Sequence, residues 1–348
     1  MKIYSDFVIS KVKFLLGILL LMSIVTSCTK YIPDDIDTIG DDVTIRTNTF
    51  APYLGRTTYY ENLVNVSNSS SLPLTFKILG VRNWDGTPAP ELTTNYPVKV
   101  WKDNYTGFEK SLEEIESKRE IQYRPMLEVL EKNGNIIFWG SGNSSFVRTL
   151  PSSAYRFDLE VSNSGGRKYF RDLILSPLKE RSYSPSQYDE VTGLAPSAAL
   201  PTITINIDGQ RTGNPIFGVQ AYINKDYKNT SPGNTLTISV LDSLGRIIDI
   251  KSKFKETKFE ELVHGFNPKF ENGKVTYEVA YPMPLTKLPT KYTDESGESA
   301  FIGLRYNRKG WTGTIKEAGI FFPFNIYEEG HWEIQFRFVG EDPKFEDE

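Results

Sequence analysis

Apolar residues recur at every second position through much of the chain. The clearest alternating segments are 74–78, 157–161, 217–223, 236–240, 275–281 and 332–338. Strands with one face on a core and one face in water produce this period of two. Clusters of turn-forming residues, such as SNSGGR after Val161 and ENGK before Val275, separate the segments. The pattern predicts an all-β protein built from antiparallel β-sandwiches.

Two segments resemble each other and each predicts a hairpin. VLEKNGNII begins at Val129 and VLDSLGRII at Val240, and both place a glycine, Gly134 or Gly245, in the turn. Glycine supplies the positive φ that tight hairpin turns need. The two segments are either equivalent hairpins of two related sandwiches, or unrelated hairpins whose sequences are similar because hairpins share the same turn requirements.

Two short helices are predicted between the strands. Thr106 and Glu109 have the spacing of a capping box, and so do Thr257 and Glu260. We expect Gly265 to close the second helix as a C-cap. Helices this short would connect strands or cover the ends of sheets.

The segment 184–201 has the composition of a linker, with three prolines, a glycine and no period. It predicts an N-terminal β-sandwich domain over 47–183 and a C-terminal one over 202–348, each of ordinary domain size. We expect both to be Ig-like or jelly-roll-like sandwiches.

The N-terminus has the pattern of a secreted, lipidated protein. Lysines precede an apolar run over 14–25, which is too short for the roughly 20 residues of a membrane-spanning helix. The run ends in Val25-Thr26-Ser27-Cys28, which resembles the bacterial lipobox, and Cys28 is the only cysteine in the chain. This predicts a signal peptide over 1–27 and an acylated Cys28 that binds membrane lipid. The alternative is an uncleaved anchor helix.

Aspartates are concentrated in the segment after Cys28, and 28–46 is predicted to be an acidic tether. Such residues resemble the signal that sends Bacteroidota-type lipoproteins to the cell exterior, although here they begin late, at Asp34. We therefore expect an outer-membrane protein that faces outward, with the periplasmic face as the alternative. The segment does not fit a calcium loop, since counting from Asp35 the twelfth residue is Arg46 rather than a bidentate Glu.

Composition excludes several kinds of chemistry. With 40 Lys and Arg against 44 Asp and Glu, the chain lacks the basic clusters of nucleic-acid-binding proteins. His264 and His331 both lie in E-x-x-H spacings, but Gly330 interrupts the second and no helical bundle surrounds either. We predict no metal, no cofactor and no assigned catalytic residue. A pair of carboxylates, as in glycosidases, remains open.

Tryptophans give the candidate ligand-binding positions. Trp332 and Trp139 share the parity of apolar strand residues and are predicted to be core. Trp84 and Trp311 lie in loops without a period, where a large ring often marks recognition. Trp101 is predicted to face water from a strand. The alternative is that the loop rings fold back over the ends of their own sandwiches. The candidate glycan-binding residues are Trp311, Trp84, Trp101, Tyr306 and Asp85.

The stretches SLEEIESKREI, VSNSGGRKYFRDL, ELVHGFNPKF and VAYPMPL, together with the lipobox and the acidic tether, carry a resemblance to a known family. The chain resembles an uncharacterised family of Bacteroidota surface lipoproteins. The resemblance implies a setting beside starch-utilisation-type uptake systems, with a TonB-dependent transporter and other lipoproteins as partners. It implies no catalytic residues. A non-catalytic glycan-binding or accessory role is favoured, and a glycoside hydrolase or a structural, adhesive protein is the alternative.

The lipobox generates the first testable prediction. Mass spectrometry of protein extracted from membranes should find Cys28 as an acylated N-terminal residue. Cys28→Ala removes the sulfur that carries the diacylglycerol, so the variant should lose the acyl chains that hold the protein on the membrane. Cell fractionation of the wild type and this variant measures the loss. An unacylated residue 28, or equal membrane retention of the two proteins, would contradict the prediction.

Overall fold

The computed structural model describes residues 37–66, 70–189, 191–195, 197–310 and 312–347. These residues form an almost entirely β structure, which confirms the predicted fold class. Three short helices interrupt it, namely α1 (Pro90–Thr93), α2 (Leu112–Ser117) and α3 (Ile250–Lys253), together with a 3₁₀ turn at Phe259–Glu261. Within the described ranges, no helix has the length and apolar character to cross a membrane.

The strands up to residue 175 form several small sheets. They are β1 (Thr44–Ile45), β2 (Thr49–Phe50), β3 (Thr58–Tyr60), β4 (Val64–Asn65), β5 (Thr75–Asn83), β6 (Asn95–Trp101), β7 (Arg119–Pro125), β8 (Leu127–Val129), β9 (Ile136–Phe138), β10 (Tyr155–Asn163) and β11 (Gly166–Leu175). The sheets have the orders β2-β11-β10-β5, β3-β9-β8, β6-β7 and β1-β4. β2 and β11 are parallel, and the other pairs are antiparallel.

The remaining strands form two larger sheets. They are β12 (Tyr183–Ser184), β13 (Leu200–Pro201), β14 (Ile203–Ile205), β15 (Val219–Lys225), β16 (Thr235–Leu241), β17 (Ile247–Ile248), β18 (Gly265–Glu271), β19 (Lys274–Val279), β20 (Ala300–Lys309), β21 (Ile315–Ile326) and β22 (His331–Phe338). One sheet has the order β13-β15-β22-β16-β19-β18, with β17 on β16, and the other joins β12, β14 and β20 to β21. β16 and β22 are parallel.

The larger of the two main hydrophobic cores lies between these last two sheets. Phe322 of β21 and Phe336 of β22 meet edge to face there, with ring centroids 5.8 Å apart. The other main core gathers residues of β2, β5, β9, β10 and β11, including Phe50 and Phe157 with ring centroids 5.5 Å apart. Each core is enclosed by facing sheets, so the architecture is sandwich-like.

The period of two identified the buried faces well. Phe157, Leu159 and Val161 are buried, and so are Trp332 and the apolar residues that alternate with it along β22. The exception is Phe217, which is 79% exposed because β15 begins only at Val219. The alternating pattern in the sequence therefore begins two residues before the strand does.

Both predicted hairpins form. β8 pairs with β9 around a turn that contains Gly134 at φ +73°, and β16 pairs with β17 around Gly245 at φ +82°. A side chain at φ values of this kind would be strained, which is the reason for glycine at both turns.

Both predicted helix starts are wrong. The buried carboxylate of Glu109 accepts hydrogen bonds from Thr106 N and Oγ1, each at 2.9 Å, and forms an ion pair with Lys118 at 2.5 Å. It therefore satisfies a loop, and α2 begins later, at the N-cap Ser111. After Thr257 only the 3₁₀ turn forms, and Gly265 begins β18 instead of closing a helix.

The predicted linker and tether are partly paired. The start of the linker contributes Ser184 to β12, and its end forms β13, so both ends pair with strands of the second half. Within the tether, Thr44–Ile45 forms β1 and pairs with β4. The proposed domain boundaries stay a prediction, and the signal peptide and Cys28 lie outside the described residues.

A small hydrophobic cluster, separate from the two main cores, joins residues of the two halves of the chain and lies beside the buried His264. Ile115 packs there against Ala280 and Leu285. His264 Nε2 donates to the carbonyl of Glu109 at 2.9 Å, and Nδ1 accepts from the Tyr105 hydroxyl at 2.5 Å. We call this cluster, including these polar contacts, the His264 joint.

Stability should depend on the protonation of His264. Its pKa lies below the ordinary value, first because burial penalises the charged imidazole. The unfolded chain then takes up a proton more readily, so the free energy of unfolding should decrease as pH falls below about 6.5. Burial raises the pKa of Glu109, but Lys118 and the Thr106 backbone outweigh burial and lower that pKa to about 2. The stability that ionised Glu109 contributes is therefore lost only as the pH falls below about 4.5.

Denaturant unfolding between about pH 7 and 5 measures this effect. His264→Gln should reduce the slope, because glutamine does not titrate. An undiminished slope in His264→Gln would contradict the prediction.

The larger core supplies a stability prediction. Phe336→Ala should lower the free energy of unfolding by about 3–5 kcal/mol, because it removes a fully buried ring and leaves a cavity. Phe217→Ala, the same substitution at an exposed position, should have little effect. Equal losses in a denaturant titration of the two variants would show that the core has been misassigned.

Candidate functional site

An open groove of about 420 Å³ lies between the segment that follows β11 and the strands β15 and β22. Four aromatic residues line it, namely Tyr183, Tyr188, Tyr227 and Trp332. Its polar lining includes Lys179, Ser186, Asn224 and Lys225. This combination of rings, amide, hydroxyl and ammonium groups makes it the candidate site.

The floor of the groove is where β15 and β22 pair, with Lys225 opposite Trp332. Trp332 is buried, and Tyr183 meets its ring edge to face with centroids 6.1 Å apart. The Trp332 indole nitrogen donates to the carbonyl of Glu328 at 3.0 Å, which fixes the orientation of the ring. The floor is therefore a continuation of the larger core.

The exposed rings belong to the two other tyrosines. Tyr227, just after β15, is 77% exposed, and Tyr188 is 44% exposed. The Lys225 ammonium lies 5.6 Å from the ring centroids of both Tyr227 and Trp332. The groove thus offers two accessible aromatic surfaces next to a cation.

An ion pair stabilises this end of the groove. Lys225 Nζ contacts the Glu328 carboxylate and donates to the carbonyl of Glu329 at 2.8 Å. Ser182 Oγ donates to Glu328 Oε2 at 2.6 Å. Burial raises the pKa of Glu328, but Lys225 and Ser182 outweigh it, so this pKa lies below its usual range. Glu328 is therefore a fixed anion that positions Lys225.

The opposite wall of the groove is a folded loop. Asp189 Oδ1 accepts from the Thr192 backbone at 2.6 Å, and Arg181 Nη2 donates to the carbonyl of Tyr188 at 2.7 Å. Hydrogen bonds from the Thr192 backbone and side chain lower the pKa of Asp189. Gly193 adopts φ +70° in the same loop. The polar contacts of Asp189 lie within the loop, so this carboxylate shapes the wall.

Both histidines are engaged elsewhere. His264 belongs to the joint, and His331 accepts from Thr235 Oγ1 at Nδ1, at 2.9 Å, and donates from Nε2 to the carbonyl of Ser231 at 3.0 Å. Over the ranges that the structure covers, no group of three or more His, Cys, Asp or Glu side chains is placed to hold a metal ion. The groove is suited to binding by stacking and hydrogen bonds.

Trp84 and Asp85, two of the predicted site residues, lie in a closed turn away from the groove. Trp84 is exposed, but the guanidinium of Arg156 lies 3.8 Å from its ring centroid. Asp85 Oδ1 accepts from the Thr87 backbone and hydroxyl, at 3.0 and 2.6 Å. Hydrogen bonds from the Thr87 hydroxyl and then its backbone lower the pKa of Asp85. The ring is accessible, and the carboxylate is occupied within the turn.

Two other predictions need correction. Tyr306 is buried in the larger core, with Phe345 and Phe254 rings 4.8 and 5.7 Å away, so it offers no ring face to a ligand. Trp101 is half-buried, because its ring packs beside Tyr105 at the His264 joint, so it does not face water as predicted. Trp311, like Cys28, lies outside the described residues. The structure does not bring Trp84, Trp101 and Tyr306 together.

Tyr227 and Tyr188 are not among the residues predicted from the sequence, because the criterion of a large ring in a loop was applied only to tryptophans. Tyr227 lies in the non-periodic stretch KDYKNTSPGN, and Tyr188 lies in the predicted linker. The argument that selected Trp84, an aromatic ring in a segment without a period, applies equally to both tyrosines.

Comparison with known proteins gives one match. A family model described as a domain of unknown function (DUF5007) matches residues 65–347. No curated protein and no solved structure matches the chain. The match includes the groove and the His264 joint.

Proposed function

The chain belongs to the DUF5007 family of domains of unknown function, and from this premise we propose that it is a lipid-anchored surface protein whose groove binds a glycan without catalysis. The observation that carries the proposal is the pair of exposed rings, Tyr227 and Tyr188, in one polar groove. Its volume of about 420 Å³ falls within the roughly 300–1,000 Å³ typical of small-molecule sites.

The chemistry of the lining suits a sugar. The CH-rich face of a pyranose can stack on an aromatic ring, and tyrosine adds a hydroxyl that can hydrogen-bond to the same ligand. Asn224 and Ser186 supply further donors and acceptors, and Lys179 supplies an ammonium group. Apolar surfaces with a few polar groups that fix orientation are what a binding site for a polar ring requires.

The carboxyl groups favour binding over hydrolysis. A glycosidase needs a general acid whose pKa is raised so that it keeps its proton near neutral pH. Where a described carboxyl group has a clearly shifted pKa, the shift is downward, as at Glu328 and Asp189 in and beside the groove. Both are held by hydrogen bonds from neighbouring residues, so they are poor candidates for an acid and base pair.

The location rests on the sequence. The lipobox at Cys28 and the acidic segment after it support a lipid anchor on the outer membrane that faces outward. The resemblance to surface lipoproteins of glycan uptake systems supports a place beside a TonB-dependent transporter. In that setting the groove would hold a polysaccharide near the transporter.

Affinity electrophoresis in gels that contain single polysaccharides tests the groove. At least one glycan should retard the wild-type protein, and Tyr227→Ala should weaken binding roughly fivefold, as expected for losing a ring contact of about 1 kcal/mol. Tyr123→Ala is the matched control, because Tyr123 on β7 is also well exposed but lies outside the groove. It should leave retardation unchanged.

The same gels can separate the groove from the turn at Trp84. Loss of retardation in Trp84→Ala with full retardation in Tyr227→Ala would overturn the groove and favour the turn. No retardation by any glycan in a broad panel would count against the whole proposal.

A further inference from the structure

Residues 37–41 of the predicted tether are bound to one end of the β10–β11 hairpin. The Thr38 carbonyl accepts from Asn163 Nδ2 at 3.0 Å and from Ser71 N at 2.9 Å. Lys168 Nζ donates to the Asp41 carbonyl at 2.6 Å. A Cβ on Gly165 would collide with the backbone of residue 37, so the chain lies directly against the hairpin. We call this region, with residues 37–41, 70–72 and 163–166, the anchor end.

The distance between Cys28 and the anchor end is limited by chain length. Nine peptide steps separate Cys28 from Asp37, which is at most about 31 Å when fully extended. If Cys28 carries the lipid, the anchor end must lie close to the membrane surface.

The groove lies at the other end of the same strand. β11 starts at Gly166 in the hairpin and ends at Leu175. Nine steps at about 3.3 Å each give a length of roughly 30 Å. Extended pairing continues through the parallel bridge between Tyr53 and Leu178, and the next residue, Lys179, lines the groove. The groove therefore lies roughly 30 Å from the anchor end along this strand.

We propose that the anchor end faces the lipid surface that holds Cys28, and that β11 separates this surface from a groove that opens away from it. The proposal rests on the lipidation of Cys28 that the proposed function includes. Leu72, 73% exposed at the anchor end, presents an apolar side chain on that side. The partner of this surface is the bilayer itself, since the short tether leaves little room for another protein between them.

Energy transfer to labelled lipids tests the orientation. Leu72→Cys at the anchor end and Tyr227→Cys at the groove place a single dye at two positions of similar exposure. Cys28 is the only native cysteine, and acylation blocks its sulfur, so each introduced cysteine is the sole free thiol. The full lipidated protein is reconstituted into vesicles whose headgroups carry an acceptor dye.

The dye at residue 72 should transfer energy several-fold more efficiently than the dye at residue 227. The same labels on Cys28→Ser chains, which cannot be acylated, should show no transfer. Equal transfer from both positions, stronger transfer from residue 227, or weak transfer from both would overturn the orientation, the last because the anchor end then stands away from the lipid. Undiminished transfer in Cys28→Ser chains would overturn the lipid premise.

This result is independent of the glycan gels. A protein with the expected orientation that binds no glycan would refute only the binding role of the groove. A protein that binds glycan through Tyr227 but shows the reverse orientation would refute only the orientation.

Discussion

Burial of alternate side chains between the two large sheets is the constraint on which the other features depend. A one-residue slip in the register of β22 would turn Phe336 and Trp332 toward solvent, so the register is strongly fixed. Because Trp332 lies at the end of that strand, the same burial sets the floor of the groove and places Lys225 beside it. The groove therefore lies at an edge of the larger core, and the packing of that core holds its floor in place.

The His264 joint connects residues from the two halves of the chain through polar contacts. His264 is neutral and bonded at both ring nitrogens, and Arg119 Nη1 donates to the Tyr281 carbonyl at 2.7 Å beside it. Such groups cost free energy to bury unless every partner is present. The joint therefore favours one specific arrangement of its neighbours, whereas an apolar contact of the same size would tolerate several.

The sequence predicted the strands and buried faces, which depend on neighbouring residues. It did not predict the groove, which residues far apart in the chain form together. The period of two located most of the strands and buried faces, and even Tyr306 could have been assigned to the core, since it alternates with Ile302 and Leu304. The Thr106–Glu109 motif was misread because a capping-box spacing also suits a carboxylate that satisfies a loop. The groove could not be assembled from local patterns, because the contact between Tyr183 and Trp332 joins residues far apart in the chain.

The course of β11 has a mechanical consequence. The strand runs from the region bound by the tether to Leu175, four residues before the first groove residue, and pairs with β10. If the proposed lipid anchor and glycan groove both hold, tension between them would act along the axis of this strand pair. Its hydrogen bonds would then be loaded in shear, instead of opening one after another as in a peeled hairpin.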